Sequence, residues 1–332
     1  MGSSSTTSLQ TAGLRTLVLG GSGFVGGRLT PLLMAQGALV RIADIQHSEA
    51  FPELWTECDV TRLESLRLAF AGAGVVINLA AVHRDDVRPL SRYDEVNVEG
   101  ARLVCQAARE AGIQKIVFTS SVAVYGFQPK PVDEAGPFEP FNAYGRTKLE
   151  AEGVYRAWAE EDPLRSLVIV RPTVVFGEGN RGNVYNLLYQ IASGKFLMVG
   201  AGKNVKSMAY VGNVAAFLAH TLTLGPGIHI YNYVDSPDMN TRDLVVHIRR
   251  SLGKSPNAPR LPRSVAMAGG HLLDVAARLS GRTFPISALR VRKFCESTQF
   301  RAERVAQTGF VPPYSLRDAL TRTITYEFPR SQ

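Results

Sequence analysis

From residue 14 to residue 171, short runs of Val, Ile and Leu alternate with stretches of helical period, and this alternation leaves few folds open to the chain. Residues 14–20, 38–44, 75–80, 115–120 and 166–171 read as strands; 24–36, 63–71, 98–111 and 144–160 read as helices. Strands separated by helices at these distances pair in parallel, because a parallel neighbour is reached only through a crossover. Right-handed crossovers lay helices on both faces and leave ligands outside the carboxyl ends of the strands. The expected class is α/β, a doubly wound parallel sheet of the Rossmann type.

After Pro172 the regularity breaks, with Gly177, Gly179, Gly182, Gly194, Gly200 and Gly202 punctuating short elements. Residues 213–222 and 228–234 again read as helix then strand and are expected to rejoin the sheet. The expected organisation is a disordered Ser/Thr-rich lead-in over 1–12, a dinucleotide-binding domain over 13–180 plus about 206–235, and a smaller, discontinuous substrate lobe over about 181–205 plus 236–330. The lead-in lacks the basic and apolar regions of a signal peptide. Residues 264–279 look apolar but are interrupted by His271, Asp274 and Arg278, too short and too charged to span a bilayer. They read as an amphipathic helix against the core, and no membrane partner is expected.

Composition narrows the function classes. Of the 332 residues, 45% are hydrophobic and 20% charged, ordinary globular proportions that exclude disorder as the main state. Cys58, Cys105 and Cys295 are too widely spaced for a disulfide framework or a structural zinc site, which points to a reducing compartment, the cytoplasm, and to no metal. The net charge of +8 suits an anionic partner. Its densest basic runs come late, at Arg290, Arg292 and Lys293 and then Arg301 and Arg304, with no interleaved aromatics. A small anionic ligand is expected rather than nucleic acid.

Gly20, Gly23 and Gly26 follow the first strand as G-x-x-G-x-x-G and open the first helix. Glycines there let the backbone approach a pyrophosphate at the positive helix N-terminus. The second strand ends at Asp44, where a carboxylate accepts hydrogen bonds from a ribose diol and repels a 2′-phosphate, favouring NAD over NADP. Arg41 lies nearby but before the strand end. Tyr144 and Lys148, four apart on a predicted helix, share one face, so the ammonium favours a phenolate able to act as general base. Ser121, just after the fourth main strand, can place a hydroxyl beside the same oxygen.

Together these motifs resemble the extended short-chain dehydrogenase/reductase family, in its branch of nucleotide-sugar epimerases, dehydratases and ketoreductases. The resemblance spans nearly the whole chain and is carried by GGSGFVG at 20–26, Asp44, CDV at 58–60, NLAA at 78–81, VNVEG at 96–100, TSSVAVYG at 119–126, YGRTK at 144–148 and RPTVVFG at 171–177. It implies Ser121, Tyr144 and Lys148 as the catalytic set, with the lysine also on the cofactor. Gly20, Gly23, Phe24, Val25 and Gly26 would hold the pyrophosphate, Asp59 and Val60 would flank the adenine, and Leu79, Ala80 and Ala81 would line the cofactor groove. Asn97 and Arg171 would join the cofactor set, and His83 would touch a cofactor phosphate or serve only as a loop residue. On the substrate side it implies Ser121 and Val122, Asn186 and Leu187 on the nucleotide, and Lys206 with Arg290 or Arg292 on the diphosphate; solvent-facing roles for Lys206 and Arg292 stay open.

Two departures stand out: Lys206 replaces the usual epimerase arginine, a point charge in place of a fork, and Val174 replaces the asparagine of many relatives. Val122 and Ala123 stand where 4,6-dehydratases carry an Asp-Glu pair, and neither moves a proton. The resemblance therefore implies an NAD-dependent epimerase oxidising C4 of a nucleotide-activated hexose, expected to be a UDP-sugar for surface polysaccharide. Alternatives are an NAD(P)H-dependent 4-ketoreductase of a UDP-4-keto-6-deoxy sugar, a steroid-type dehydrogenase, and a catalytically silent NAD-binding regulator. Helices 98–111 and 144–160 resemble the family's dimer-forming pair, so a homodimer is expected.

Overall fold

The computed structural model describes residues 11–84, 87–280 and 295–329. Residues 1–10 of the expected lead-in, and Arg290 and Arg292, lie outside the described residues. Seven strands form the main sheet: β1 (Arg15–Leu19), β2 (Leu39–Asp44), β3 (Trp55–Glu57), β4 (Val75–Asn78), β5 (Lys115–Thr119), β6 (Ser166–Pro172) and, beyond the paired short strands β7 (Val174–Phe176) and β8 (Met208–Tyr210), β9 (Gly227–Tyr233). The order is β9-β6-β5-β4-β1-β2-β3, with every neighbouring pair parallel. The strand expected at 228–234 thus rejoins the sheet at its edge. β3 was not foreseen; three residues show no periodicity.

The longer helices are α1 (Gly26–Ala35), α2 (Leu63–Phe70), α3 (Gly100–Glu110), α4 (Ala143–Glu160), α5 (Asn183–Ala192), α6 (Val211–His220), α7 (Thr241–Ser251), α8 (Arg263–Ser280) and α9 (Leu316–Glu327). Strand alternation sorts them onto two faces. Leu17 and Leu19 of β1 point into one core with Phe70, Val104, Tyr155 and Trp158 of α2, α3 and α4. Val18, between them, points into the other with Leu29 and Leu33 of α1 and Val214, Phe217 and Leu218 of α6. Each such side chain stabilises the fold by about 1.5–3 kcal/mol when wholly buried. A third core joins α5, α7 and α9 through Leu188, Ile191, Leu244, Ile248, Leu320 and Ile324.

The strand order reverses between β1 and β4. Their carboxyl ends, carrying Gly20 and Ala80, therefore flank the crevice in which a doubly wound sheet takes its ligand.

Candidate active site

Close packing fixes the turn after β1. Gly20 has φ +71°, and a Cβ there would stand 2.6 Å from Ala80 N; one on Gly26 would stand 2.2 Å from Gly21 O. No side chain fits either place, so the backbone of the turn lies bare at the start of α1. Gly23 is less confined, its Cβ position 3.3 Å from Gly20 O, and Phe24 and Val25 are half-buried. Asp44 pins the turn from the end of β2: Oδ2 accepts from Ser22 N at 3.0 Å and Oδ1 from Gln46 N at 2.9 Å. A carboxylate has about four acceptor sites, so capacity remains for a ribose diol. A bare glycine turn at a helix N-terminus with an acid beside it fits NAD.

The groove walls follow. Asp59 Oδ1 accepts from Thr61 N and Oγ1 at 2.9 and 2.7 Å, Val60 is buried, and Leu79, Ala80 and Ala81 are half-buried after β4. His83 is exposed. Asn97 is buried within a π-helical turn, Asp94–Glu99: Oδ1 accepts from Val82 N at 2.9 Å, and Nδ2 donates to Val82 O and Thr147 Oγ1, each at 3.0 Å. Its amide ties the loop after β4 to α4.

The turn after β5 and the start of α4 bring the expected catalytic groups together. Ser121 caps a 3-10 turn, Val122–Tyr125, its Oγ accepting from Ala123 N at 3.1 Å, which leaves its own proton to donate elsewhere. Asn142 caps α4 by accepting from Gly145 N at 2.8 Å. Gly145 lets the two turns touch, since a Cβ there would be 2.4 Å from Ala123 O. Tyr144 thus sits in the first turn of α4, at the helix's positive end, which favours negative charge on a group placed there. One turn on, Lys148 is 2% exposed, and its Nζ donates to Thr119 O at 2.8 Å over the Phe118 ring. Burial pulls its ammonium down to about 7, against the opposing charge of Glu152.

Beneath these residues lies a buried polar network that sequence reasoning missed. Glu152 takes Arg171 Nε at 2.8 Å and Nη2 at 2.5 Å, and accepts from Ser120 Oγ at 2.6 Å. Arg171 Nη1 donates to Tyr125 Oη at 2.5 Å and Glu134 O at 3.0 Å; Tyr125 Oη in turn donates to Asn232 Oδ1 at 2.7 Å. Burial pushes the Tyr125 phenol up to about 12 despite Arg171, so it stays protonated. Arg171 is 0% exposed with all three guanidinium nitrogens engaged. A signal existed in the four-residue step from Lys148 to Glu152, which puts the acid on the lysine's own helix face.

The residues expected on the substrate side are spread over several elements. On α5, Asn186 is exposed and Leu187 half-buried; Lys206 stands on the two-residue strand Val205–Lys206, antiparallel to Met239–Asn240, its ammonium pulled down by burial. Val122 is half-buried in the Ser121 turn, and Val174 is 38% exposed.

Comparison with known proteins is decisive for the family. The profile of the NAD dependent epimerase/dehydratase family matches residues 16–233. The chain belongs to that family. It is an enzyme of the extended short-chain dehydrogenase/reductase type, and its cofactor is NAD. The N-acetyl-alpha-D-glucosaminyl-diphospho-ditrans,octacis-undecaprenol 4-epimerase of Escherichia coli O157:H7 is 48% identical over 314 residues, 94% of this chain and 95% of that protein. A 4-hydroxy-2-methyl-3-oxo-4-farnesyl-3,4-dihydroquinoline-1-oxide ketoreductase of Stigmatella aurantiaca is 30% identical over 271 residues, 78% of this chain and 79% of its own. Among solved structures, the UDP-glucose 4-epimerase of Thermus thermophilus in complex with NAD shares the fold at a TM-score of 0.73 and 21% identity, covering 94% of this chain and 98% of that one.

Proposed function

We propose that this enzyme is a 4-epimerase whose substrate is N-acetylglucosamine joined through a diphosphate to a polyprenol. The observation that carries the reading is the 48% identity, over nearly the full length of both chains, to the E. coli O157:H7 enzyme named for that substrate. The UDP-hexose expected from the sequence shares the sugar and the diphosphate and differs in what lies beyond. Val174, which offers no polar group, suits an apolar continuation better than a nucleotide.

In this reading Ser121 donates to the C4 oxygen and Tyr144 accepts the C4 hydroxyl proton. Lys148 steadies the phenolate from the turn below. NAD, held at the glycine turn and Asp44, would supply a hydride acceptor and donor for C4. The 4-keto sugar turns over in the site between the two transfers, after which Tyr144 returns the proton. Nothing is consumed, and with Val122 and Ala123 beside Ser121 no acid pair diverts the ketone to dehydration. Two copies pair through α3 and α4, and the product feeds surface polysaccharide synthesis at the cytoplasmic face.

The test is to supply purified protein, without added cofactor, with N-acetylglucosaminyl-diphospho-polyprenol and, separately, with UDP-N-acetylglucosamine. The reading expects the C4 epimer from the first at a kcat/KM at least about tenfold higher, a difference of roughly 1.4 kcal/mol. Equal or better conversion of the UDP-sugar returns the assignment to nucleotide sugars. No epimer from either, with NADH consumed on a ketone, makes the enzyme a reductase like its Stigmatella relative.

A further inference from the structure

The chain's excess of positive over negative charge falls in one stretch of sequence. Residues 244–295 hold ten Lys and Arg against a single acid, Asp274, a net of +9. The rest of the chain holds 27 Lys and Arg against 28 Asp and Glu, a net of −1, so this stretch supplies the whole excess. α8 runs through it and does not turn all its apolar residues inward. Val265, Ala268 and Leu272, at i, i+3 and i+7, form one stripe that is exposed, Val265 at 53% and Leu272 at 71%, while the neighbouring Ala266 is buried. The sequence-based expectation of a helix packed against the core therefore holds for only one side of it.

Cations gather where α8 begins. Lys203, Arg242 and Arg260 line one cavity beside Asn240 and Asp243, and Arg263 opens the helix next to Gly200. An apolar stripe on an exposed helix, flanked by excess Lys and Arg, is the pattern of a segment that lies in a membrane interface. Nucleic acid would use the charge and leave the stripe in water.

We propose that this face docks on an anionic lipid bilayer, with Val265, Ala268 and Leu272 entering the acyl boundary and Arg260 and Arg263 among the headgroups. Among the described residues no helix is long and apolar enough to cross a membrane, so α8 lies on the surface. This replaces the expectation that the chain has no membrane partner. The proposal deepens the preceding reading, because a polyprenol-linked sugar is held at a bilayer surface and must be met there.

Co-sedimentation of the full chain with sugar-free vesicles tests the docking independently of turnover. Vesicles of phosphatidylglycerol and phosphatidylethanolamine should pull down the wild type, vesicles of phosphatidylcholine should not, and 0.5 M salt should weaken the binding. Val265→Glu with Leu272→Glu should lower binding at least about tenfold, as should Arg260→Gln with Arg263→Gln. Both pairs should keep wild-type turnover of a water-soluble, short-chain substrate; if the first pair fails to fold, Leu272→Ser replaces it. The proposal is overturned if the wild type stays in the supernatant with anionic vesicles, if the glutamate pair binds as well as wild type, or if a labelled DNA duplex is retained where vesicles are not. Failure of the lipid-linked reading alone would instead show as vesicle binding by a protein that epimerises only UDP-sugars.

Discussion

Replacing Lys148 with Met should stabilise the cofactor-free protein while ending its turnover. The ammonium is 2% exposed, and burial holds it at about 7 against an ordinary lysine value of 10.5. At pH 7 and below, keeping the folded chain's lysine protonated costs about 4 to 5 kcal/mol. Methionine fills similar space without that cost but gives up the 2.8 Å bond to Thr119 O and the contact with the Phe118 ring. Those losses come to about 1–3 kcal/mol, so the net gain at pH 7 is roughly 1–4 kcal/mol. The pH dependence fixes the cause. Between about 7 and 10.5 the unfolded lysine binds more protons than the folded one, so wild-type stability rises with pH across that window. By pH 10 the penalty has fallen to about 1 kcal/mol, and the substitution should turn neutral or destabilising. Urea unfolding of both proteins, stripped of NAD, at pH 7 and pH 10 measures the two differences. A methionine variant less stable than wild type at pH 7, or a difference equal at both pH values, would refute the reasoning.

Glu152→Gln should cost about 3–5 kcal/mol of stability, because it leaves the buried Arg171 guanidinium without its counter-charge; the same denaturation assay reads it. Asp44→Ser should narrow the preference for NAD over NADP by removing both the ribose acceptor and the repulsion of a 2′-phosphate, measured by direct titration of each cofactor. Tyr144→Phe should leave less than about a tenth of wild-type turnover, a loss above roughly 1.4 kcal/mol, with NAD affinity nearly unchanged.

How far the molecule could be read beforehand depended on the range of the forces involved. The six longer strands of the sheet and α1 to α4 were legible because hydrophobic period is a local property, and Gly20 and Gly26 because only glycine survives the close backbone approaches found there. The trio proposed for catalysis rests on spacing, Tyr144 to Lys148 on one helix and Ser121 just past a strand. What was not legible was long-range. The partners of Arg171 come from α4, from the turn ending at Tyr125 and from Glu134, and no local pattern announces such a convergence. The tie from Asn97 to the loop at Val82, 15 residues upstream, likewise forms only once the chain folds. The surroundings of Lys206 were hidden for the same reason: it meets Met239 across a pair of two-residue strands whose register the sequence alone does not set.

The central claim is that one carbon, C4, loses and regains its hydrogen within a single site. Substrate carrying deuterium at C4, incubated with the purified protein in ordinary water, tests this most directly by mass spectrometry and NMR of the recovered sugars. The account predicts that both epimers keep the deuterium at C4, because it leaves as hydride to bound NAD and returns to the other face without meeting solvent. Epimer whose C4 deuterium has been exchanged for solvent hydrogen would contradict it.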